Sequence, residues 1–355
     1  MEEFIVPRLL HGQSQELLGP QSKSQCKSHS FSHSHSCSQE QSASNRELVN
    51  EGIKLSDSAL VPFGDSRLAM TADSFVVKPL SFPGGSIGSL SVNGTLNDLA
   101  VSGAKPLALM CTLILEAGTA LDVLDRELTA MAKAASLAGV SIVGGDTKVV
   151  EHGKADGLYI TTFGIGQPQD NVCIDPTSLQ AGDRILLSGP IGDHGITILL
   201  ARGELDIEAD LQSDSRSVWP MVEALLKSCG NEVRWMRDPT RGGVATALNE
   251  LAQDSGMSIS IEDALVPVRD TVRGACEVLG LDVLHVANEG QFLAAVSESA
   301  CDLALAALRA VEGGDEACVI GEIKESPAGK LTAVTPYGSS RIVDMLVGDQ
   351  LPRIC

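Results

Sequence analysis

Four aspartates stand beside threonine, asparagine or glycine, where a short chain segment can present a carboxylate. They are Asp73 in Thr71-Ala72-Asp73, Asp98 after Asn97, Asp146 after Gly144-Gly145, and Asp238 before Pro239. Each alone fits ordinary turn chemistry, because an aspartate just after a strand in a glycine-bearing turn presents its carboxylate. Several such carboxylates can hold divalent cations against phosphate oxygens. With Gly242 and Gly243 at a predicted helix start, the set favours nucleotide binding.

The chain ends in a second chemical feature, the cysteine of Pro352-Arg353-Ile354-Cys355. An adjacent carboxylate raises the pKa of a thiol, so this position suits a carried attachment point better than a self-activated nucleophile. A frayed end, or a carboxylate ligand for a partner, are the alternatives from position alone. Prenylation is excluded, because it needs the cysteine four residues from the end. No Walker A sequence is present, which excludes a P-loop enzyme.

Composition narrows the class of protein. The 355 residues carry a formal net charge of -20, which argues against a nucleic-acid partner. The longest apolar run, residues 107–115, is too short to cross a bilayer, and the start of the chain lacks the basic residues of a secretory signal. Nine cysteines without paired spacing fit a reducing compartment. We therefore expect a cytoplasmic protein with no membrane association.

A low-complexity stretch rich in Ser, Gln and His occupies residues 20–46. It has too few apolar side chains to offset the entropy of ordering, so we expect disorder. Its metal-binding residue types follow no standard zinc spacing. A solvated tether is the favoured interpretation and metal binding the alternative. The residues concerned are Cys26, His29, His33, His35 and Cys37.

Strands and helices alternate through the rest of the chain. Hydrophobic periodicity predicts a first α/β region with helices at 88–102 and 121–139. Strands are predicted at 67–77, 107–115, 141–143 and 158–165, and residues 166–181 form the predicted linker. A second region has a strand at 184–187 and helices at 194–201, 221–227, 243–252 and 271–279.

The alternation predicts an α+β fold of two domains. The predicted division of the chain assigns 1–54 to an N-terminal segment with the insertion, 55–167 to a first domain, 182–335 to a second, and 336–355 to a mobile tail.

Several of these segments resemble a known family. Asp73-Ser74-Phe75-Val76-Val77 and Asn97-Asp98-Leu99-Ala100 are similar to the ATP-binding superfamily of aminoimidazole ribonucleotide synthetase. Residues 144–156 and 189–195, with the terminal Pro-Arg-Ile-Cys, resemble the HypE-type hydrogenase maturation proteins, which are carbamoyl dehydratases. The match runs from about residue 55 to the end.

The resemblance implies a reaction on the terminal thiol. A HypF-type carbamoyltransferase would load Cys355 with a carbamoyl group. ATP would then phosphorylate the carboxamide oxygen, and loss of phosphate with the nitrogen protons would leave a thiocyanate. This cyanide would pass to a HypC–HypD-type iron scaffold for [NiFe]-hydrogenase. The resemblance also implies a homodimer.

The resemblance assigns roles to individual residues. It implies Cys355 as the carrier, Glu289 as the general base, and Lys148 as a group that polarises the carbamoyl oxygen or holds the phosphate. Mg²⁺ and ATP are implied as cofactors. The implied metal ligands are Asp73, Asp98, Asp146 and Asp238. The implied nucleotide-binding residues are Asp73, Asn97, Asp98, Asp146, Thr147, Asp238, Gly242 and Gly243.

Two sequence features limit the resemblance. The family's glycine-rich stretch after an early His-Gly is replaced here by Gln13-Ser14-Gln15 after His11-Gly12. His194 is a candidate base, but residues 192–195 are expected to shape a turn at a helix start.

Two other functions stay open at this point. A kinase-like enzyme acting on a free small molecule leaves Cys355 unexplained, and a non-catalytic thiol carrier leaves the acidic residues unexplained.

Overall fold

The computed structural model describes residues 57–170, 172–203, 209–345 and 354–355. The predicted N-terminal segment with its insertion, and residues 346–353 of the predicted tail, lie outside these ranges. None of the helices in the described ranges is both long enough and apolar enough to cross a membrane.

The described residues form fourteen strands and seven α-helices. The strands are β1 (Ala59–Phe63), β2 (Ser66–Phe75), β3 (Ser81–Phe82), β4 (Gly85–Ser86), β5 (Ala104–Glu116), β6 (Ser141–Val150), β7 (Leu158–Pro168), β8 (Arg184–Leu187), β9 (Val233–Arg237), β10 (Ser258–Glu262), β11 (Leu293–Val296), β12 (Cys318–Lys324), β13 (Leu331–Val334) and β14 (Ser340–Ile342). The helices are α1 (Ile87–Val101), α2 (Leu121–Leu137), α3 (Asp193–Ala201), α4 (Trp219–Cys229), α5 (Gly243–Ser255), α6 (Asp270–Leu279) and α7 (Cys301–Arg309).

Two large sheets organise these elements. The first has the order β1-β2-β7-β5-β6, and its neighbours are antiparallel except for the parallel pair β5–β6. The second has the order β14-β13-β10-β12-β8-β11-β9, with a single parallel pair, β10–β13. β3 and β4 form a separate ribbon. A boundary between residues 168 and 184 would separate the two large sheets.

Helix α1 is buried around almost its whole circumference. It contacts β2 and β7 of the first sheet, and also α2 and α4. A helix that packs on every side needs apolar residues all round, and α1 has them in Ile87, Leu90, Leu96 and Leu99, each fully buried. Polar residues on α1 are consequently held rigidly inside the protein.

Strand alternation gives the first sheet two different faces. On β2, Ala69 and Phe75 are buried on the face that α1 covers, whereas Met70 is exposed on the other. Met110 of β5 and Phe163 of β7 are direct cross-strand partners and are exposed as well. The face that the helices leave open is therefore partly apolar, and we call it the open face.

The predicted helices and strands are confirmed, with small differences at their ends. The strand predicted at 141–143 is longer, because the β-branched residues after Asp146 continue the pairing with β5 as far as Val150. Asp73 lies within β2 and Asp98 within α1, as the predicted strand at 67–77 and helix at 88–102 require, and Asp238 follows β9. The expectation of a glycine-bearing turn after a strand was wrong for Asp146, which lies within β6.

Candidate active site

Three buried or half-buried aspartates meet between α1 and the end of β9. One carboxylate oxygen each from Asp57, Asp98 and Asp238 lies within 4.8 Å of the other two, the one such group among the described residues. Thr71 on β2 donates a hydrogen bond of 2.9 Å from its Oγ1 to Asp98 Oδ2. We call Asp57, Asp98 and Asp238 the acidic cluster.

Burial and mutual repulsion raise the pKa values of the three aspartates in the acidic cluster. Burial raises the pKa of Asp98 well above its ordinary range, and the nearby charges of Asp238 and Asp57 raise it further. Burial likewise raises the pKa of Asp238 to about 7 and that of Asp57 to about 6. Arg237 opposes these shifts through an ion pair of 2.9 Å with Asp57, but it also pairs with Glu250. A hard divalent cation such as Mg²⁺ fits this excess of carboxylate oxygens.

Asp73 lies beside this cluster without being part of it. Strand alternation places its side chain, like that of Thr71, on the face of β2 that α1 covers. Burial raises the pKa of Asp73, while the charge of Arg241 lowers it. The negative charge of Asp73 also contributes to the raised pKa values of Asp98 and Asp238. The charge of Asp73 therefore acts on the acidic cluster, although its carboxylate is not one of the three that meet there.

Glu289 lies in a loop before β11 that is fixed from several sides. Asp214 accepts hydrogen bonds from the backbone N–H groups of Glu289 (3.1 Å) and Gly290 (3.2 Å). Asn97 of α1 donates from Nδ2 to the Glu289 carbonyl at 3.1 Å. Asn288 holds the same loop to the residue after Asp238, donating to the Pro239 carbonyl at 3.0 Å. The position of the Glu289 backbone is thus set by three other parts of the chain.

The carboxyl group of Glu289 is buried and has a raised pKa. The residue is 2% exposed, and its Oε1 has no hydrogen-bond partner within the part of the chain that the structure describes. Burial raises its pKa well above the ordinary range, and the charges of Asp238, Asp73 and Asp214 raise it further. A buried carboxyl oxygen without a partner is costly. Such an atom is typical of a group kept for a ligand or a proton.

The last two residues lie against the end of β2. The backbone N–H of Val76 donates to a terminal carboxylate oxygen of Cys355 at 3.1 Å. The preceding residue, Phe75, packs against Gly94 of α1: a Cβ at Gly94 would lie 2.9 Å from the Phe75 ring and 3.7 Å from Glu289 Oε2. The end of the chain and the Glu289 carboxyl group therefore flank the same short stretch of structure.

The comparisons with known proteins agree with this geometry. The family model for the N-terminal domain of AIR synthase related proteins matches residues 55–167, and that for the C-terminal domain matches residues 180–334. The chain is 48% identical over 311 residues to the carbamoyl dehydratase HypE of Azotobacter vinelandii, covering 87% of this chain and 91% of that protein.

The chain belongs to the HypE family of carbamoyl dehydratases.

Solved structures extend this family assignment to three dimensions. A crystal structure of the hydrogenase maturation protein HypE in complex with ATP matches with a TM-score of 0.78 and 42% identity, over 87% of this chain and 91% of that one. A structure of a HypE–HypF complex matches with the same TM-score and 41% identity, over 86% of this chain and all of that one. The expected two-domain aminoimidazole ribonucleotide synthetase-like fold is thereby confirmed.

Within this HypE-family fold, Asp146 and Lys148 lie on the opposite side of the first sheet from Asp73, whereas Thr147 projects to the helix-covered side of β6. Asp146 shares a cross-strand row with Thr112, Thr161 and Ser74, and directly paired residues project from the same side of a sheet. Ser74 and Asp73 are consecutive and project oppositely, so Asp146 lies on the open face and Asp73 on the helix-covered face. Lys148 also lies on the open face, where its Nζ pairs with Asp146 Oδ2 at 2.8 Å.

The two glycines expected at the nucleotide site lie at the start of α5. Gly242 and Gly243 have φ angles of +76° and +61°, which favour glycine. A Cβ on Gly243 would lie 2.5 Å from the Leu284 carbonyl oxygen, so close packing requires glycine there as well. These residues place the N-terminus of α5 five residues after Asp238, where the N–H groups of its first turn favour a phosphate.

Sequence reasoning missed several residues that shape this site. Asp57 completes the acidic cluster and Asp214 positions Glu289, whereas His194, assigned from the sequence only to a helix start, also contacts the tail. Asn97 was expected to bind nucleotide, yet its side chain is engaged by backbone groups of Arg216, Val218 and Glu289. The aspartates at 57 and 214 stand between serines, a setting typical of exposed loops, so no local signal marks them.

Proposed function

We propose that this chain is an ATP-dependent carbamoyl dehydratase that converts a carbamoyl group on the Cys355 thiol to a thiocyanate. The observation that carries the proposal is the placement of the chain end. The Cys355 carboxylate accepts a hydrogen bond from the Val76 N–H, one residue after Phe75, whose ring lies beside Gly94 as Glu289 does. A substrate attached to this cysteine would be delivered to a buried carboxyl group beside the acidic cluster.

The chemistry needs an activated oxygen and a proton acceptor. ATP transfers its γ-phosphoryl group to the carbamoyl oxygen, which turns a poor leaving group into a good one. The C–O bond then breaks, phosphate leaves, and both protons on nitrogen are lost as the C≡N bond forms. The sulfur–carbon bond stays intact throughout. The products are ADP, phosphate and the S-cyano form of Cys355.

Glu289 is the proposed acceptor for a nitrogen proton. Its raised pKa makes the carboxylate a strong base, and general bases of this kind contribute about 10²–10⁴-fold. The charges of Asp238 and Asp73 help to raise that pKa. A cation held by the acidic cluster would offset these charges and favour ionised Glu289, so that it could accept a proton.

Asp57, Asp98 and Asp238, with Asp73 beside them, are the residues that would hold Mg²⁺. When bound, the cation would neutralise charge on the transferring phosphoryl group. The N–H groups at the start of α5 would contact phosphate oxygens. The proposed nucleotide site is therefore built from α1, β2, the end of β9 and the start of α5.

The proposed partners follow from the chemistry of the tail. A HypF-type carbamoyltransferase would load Cys355, since dehydration consumes a carbamoyl group that another reaction must supply. An iron-bearing scaffold of the HypC–HypD type would accept the cyanide. Both partners need access to the terminal thiol, so the tail must leave its docked position between steps.

A homodimer is proposed from the open face of the first sheet. This face exposes the apolar side chains of Met70, Met110 and Phe163, which a second copy could cover. It also carries Lys148, on the opposite side of the sheet from Asp73. In a dimer packed through this face, Lys148 would lie at the interface between the two protomers, and whether it acts on the site of its own or of the other protomer is open to test.

Complementation tests the proposed dimer. Lys148→Ala and Glu289→Gln, each inactive alone, are coexpressed with different tags. If Lys148 acts across the interface, mixed dimers hold one intact site, and statistical mixing restores about a quarter of wild-type dehydration. No recovery in tag-purified mixed dimers would show that both residues act within one protomer.

The proposed reaction itself is tested by intact-mass measurement. Carbamoylated protein incubated with ATP and Mg²⁺ should lose about 18 Da from its C-terminal peptide, the mass of the eliminated water. Cys355→Ala is the matched control, which should bind ATP but never acquire or lose the group. An unchanged carbamoyl peptide after ATP has been consumed would refute the assignment.

A further inference from the structure

His194 joins the chain end to the segment around Ser213. It is the second residue of α3, it is fully buried, and both of its ring nitrogens have partners. Nε2 lies 2.6 Å from the Ile354 carbonyl oxygen, and Nδ1 lies 2.8 Å from Ser213 Oγ. Gly192, which caps α3 with a φ of +89°, turns the chain so that the His194 ring faces the tail.

The hydrogen bonds select one tautomer of His194. A carbonyl oxygen only accepts, so Nε2 must carry the proton that is donated to Ile354. Nδ1 is then an acceptor and receives the hydroxyl proton of Ser213. Ser213 Oγ in turn accepts from the backbone N–H of Ser215 at 3.1 Å. Burial also lowers the pKa of His194 to about 4, so the ring is neutral at neutral pH.

The His194 ring is also fixed by packing. The ring of Phe82 lies against it edge to face, with centroids 5.7 Å apart. Ser213 is held by a backbone hydrogen bond of 2.9 Å to the Pro83 carbonyl, and Gly84 allows this close approach because a Cβ there would lie 2.9 Å from Ser213. The donor that faces the tail is therefore preorganised.

The segment that fixes the His194 tautomer also fixes the proposed base. Ser213 orients the ring, while the next residue, Asp214, accepts from the backbone N–H groups of Glu289 and Gly290. One short segment thus holds both the donor for the tail and the loop that carries Glu289. A shift of this segment would move both together.

We propose that His194 is a positioning residue for the C-terminal tail, donating from Nε2 to the Ile354 carbonyl so that Cys355 is held in register with Glu289. The inference rests on the proposed function for its consequence, but the docking itself does not depend on dehydration. Val76, His194 and Ser213 together form what we call the tail-binding site. Because the bond is made to a backbone carbonyl, it fixes the tail whatever group the thiol carries.

Two amide substitutions distinguish loss of the Nε2 hydrogen-bond donor from loss of the imidazole ring itself. In His194→Gln, the side-chain amide nitrogen can occupy the place of Nε2 and donate to Ile354. In His194→Asn, the shorter amide can reach only Ser213, and the Ile354 carbonyl loses its donor. Both variants replace a buried ring by a buried amide, so general destabilisation affects them alike.

Docking is measured first, in the absence of nucleotide. The rate at which N-ethylmaleimide alkylates Cys355 is compared with that at Cys173, an exposed cysteine in the same sample. Losing one hydrogen bond to the tail should raise the Cys355 rate about fivefold in His194→Asn. His194→Gln should stay close to wild type, and the Cys173 rate should not change in either variant.

Dehydration is measured second, in a single turnover of carbamoylated protein with ATP. His194→Asn should slow the conversion about fivefold or more, with ATP binding unchanged, and His194→Gln should retain most of the wild-type rate. Equal rates for Asn, Gln and wild type, or equal losses in both variants, would overturn the positioning role. Failure of wild type to dehydrate refutes the proposed function instead, and the alkylation comparison still decides the role of His194.

Discussion

The acidic cluster and the tail-binding site are each linked by hydrogen bonds to the loop that carries Glu289, yet their electrostatics are opposite. In the acidic cluster, three carboxylates crowd together and their pKa values rise, because burial and mutual repulsion penalise their charged forms. In the tail-binding site, a neutral imidazole has a partner for each nitrogen. The first region holds more negative charge than its surroundings compensate, and the second is fully hydrogen-bonded.

The difference follows from what each region binds. The proposed ligand of the acidic cluster is a cation with a nucleotide, which comes from solution, so charges are left uncompensated until it arrives. The ligand of the tail-binding site is part of the same chain, so its backbone carbonyl can be matched in advance. Glu289 stands between them: its loop is fully hydrogen-bonded, whereas its carboxyl Oε1 is not.

Glu289→Gln tests the role of Glu289 between these two regions, and it should give the largest loss of dehydration activity. Glutamine keeps the size of the side chain but cannot accept the nitrogen proton, so we expect dehydration to fall about 10²–10⁴-fold. The carbamoyl form of Cys355 should still be loaded and should accumulate, as seen by intact mass. Before carbamoylation, N-ethylmaleimide should alkylate Cys355 of this variant at the wild-type rate, because the tail contacts are unchanged. A variant that dehydrates normally would remove Glu289 from the mechanism.

Asp98→Asn tests whether the two regions act separately. Loss of one carboxylate from the cation site should reduce ATP consumption on the order of a hundredfold. The side-chain amide introduced by this substitution can still accept the hydrogen bond from Thr71, which preserves the packing of α1. Cys355 alkylation should not change, since His194 and Val76 are untouched. Near-normal ATP turnover in a folded variant would contradict the assignment of the cluster as the cation site.

The sequence predicted the elements well because their signals are local. The helix at 121–139 and the strand at 158–165 follow from periodicity, and the structure has them at Leu121–Leu137 and Leu158–Pro168. The strand through Asp146 was underestimated, because Gly144 and Gly145 resemble a turn. A Cβ on Gly145 would lie 1.7 Å from the Cys111 carbonyl, so glycine serves close strand packing there instead.

The site was less predictable, because long-range contacts create it. Asp57 lies far from Asp98 and Asp238 in sequence, and nothing near it marks a metal ligand. His194 was recognised as part of a helix start, which the structure confirms, but its contact with Ile354 spans 160 residues. Similarly, alternation alone cannot tell that Asp73 and Asp146 project from opposite faces, because that depends on the cross-strand register.

The smallest expected effect concerns stability, and it uses the raised pKa values of the acidic cluster. The pKa of Asp238 rises from 3.8 to about 7 and that of Asp57 from 3.8 to about 6. Between pH 3.8 and the raised pKa of each aspartate, the folded protein binds more protons than the unfolded chain. Folding stability therefore falls as the pH rises through this range. The stabilising contribution is complete below pH 3.8 and is lost as the pH passes through 6 and 7. Cation-free protein should therefore have a lower Tm at about pH 8 than at about pH 5.5.

Mg²⁺ should reverse this trend, because it binds the ionised carboxylates that repel one another. We expect saturating Mg²⁺ to raise the Tm by a few degrees at about pH 8 and by less at about pH 5.5, where protons compete for the same oxygens. In Asp98→Asn the increase at the higher pH should shrink, whereas His194→Gln should keep it, because the tail-binding site carries no charge. A rise in Tm of equal size at both pH values, or one that Asp98→Asn retains in full, would place the cation outside the acidic cluster. The contrast between a charged region that binds its ligand from solution and a neutral region that binds the chain's own tail would then not hold.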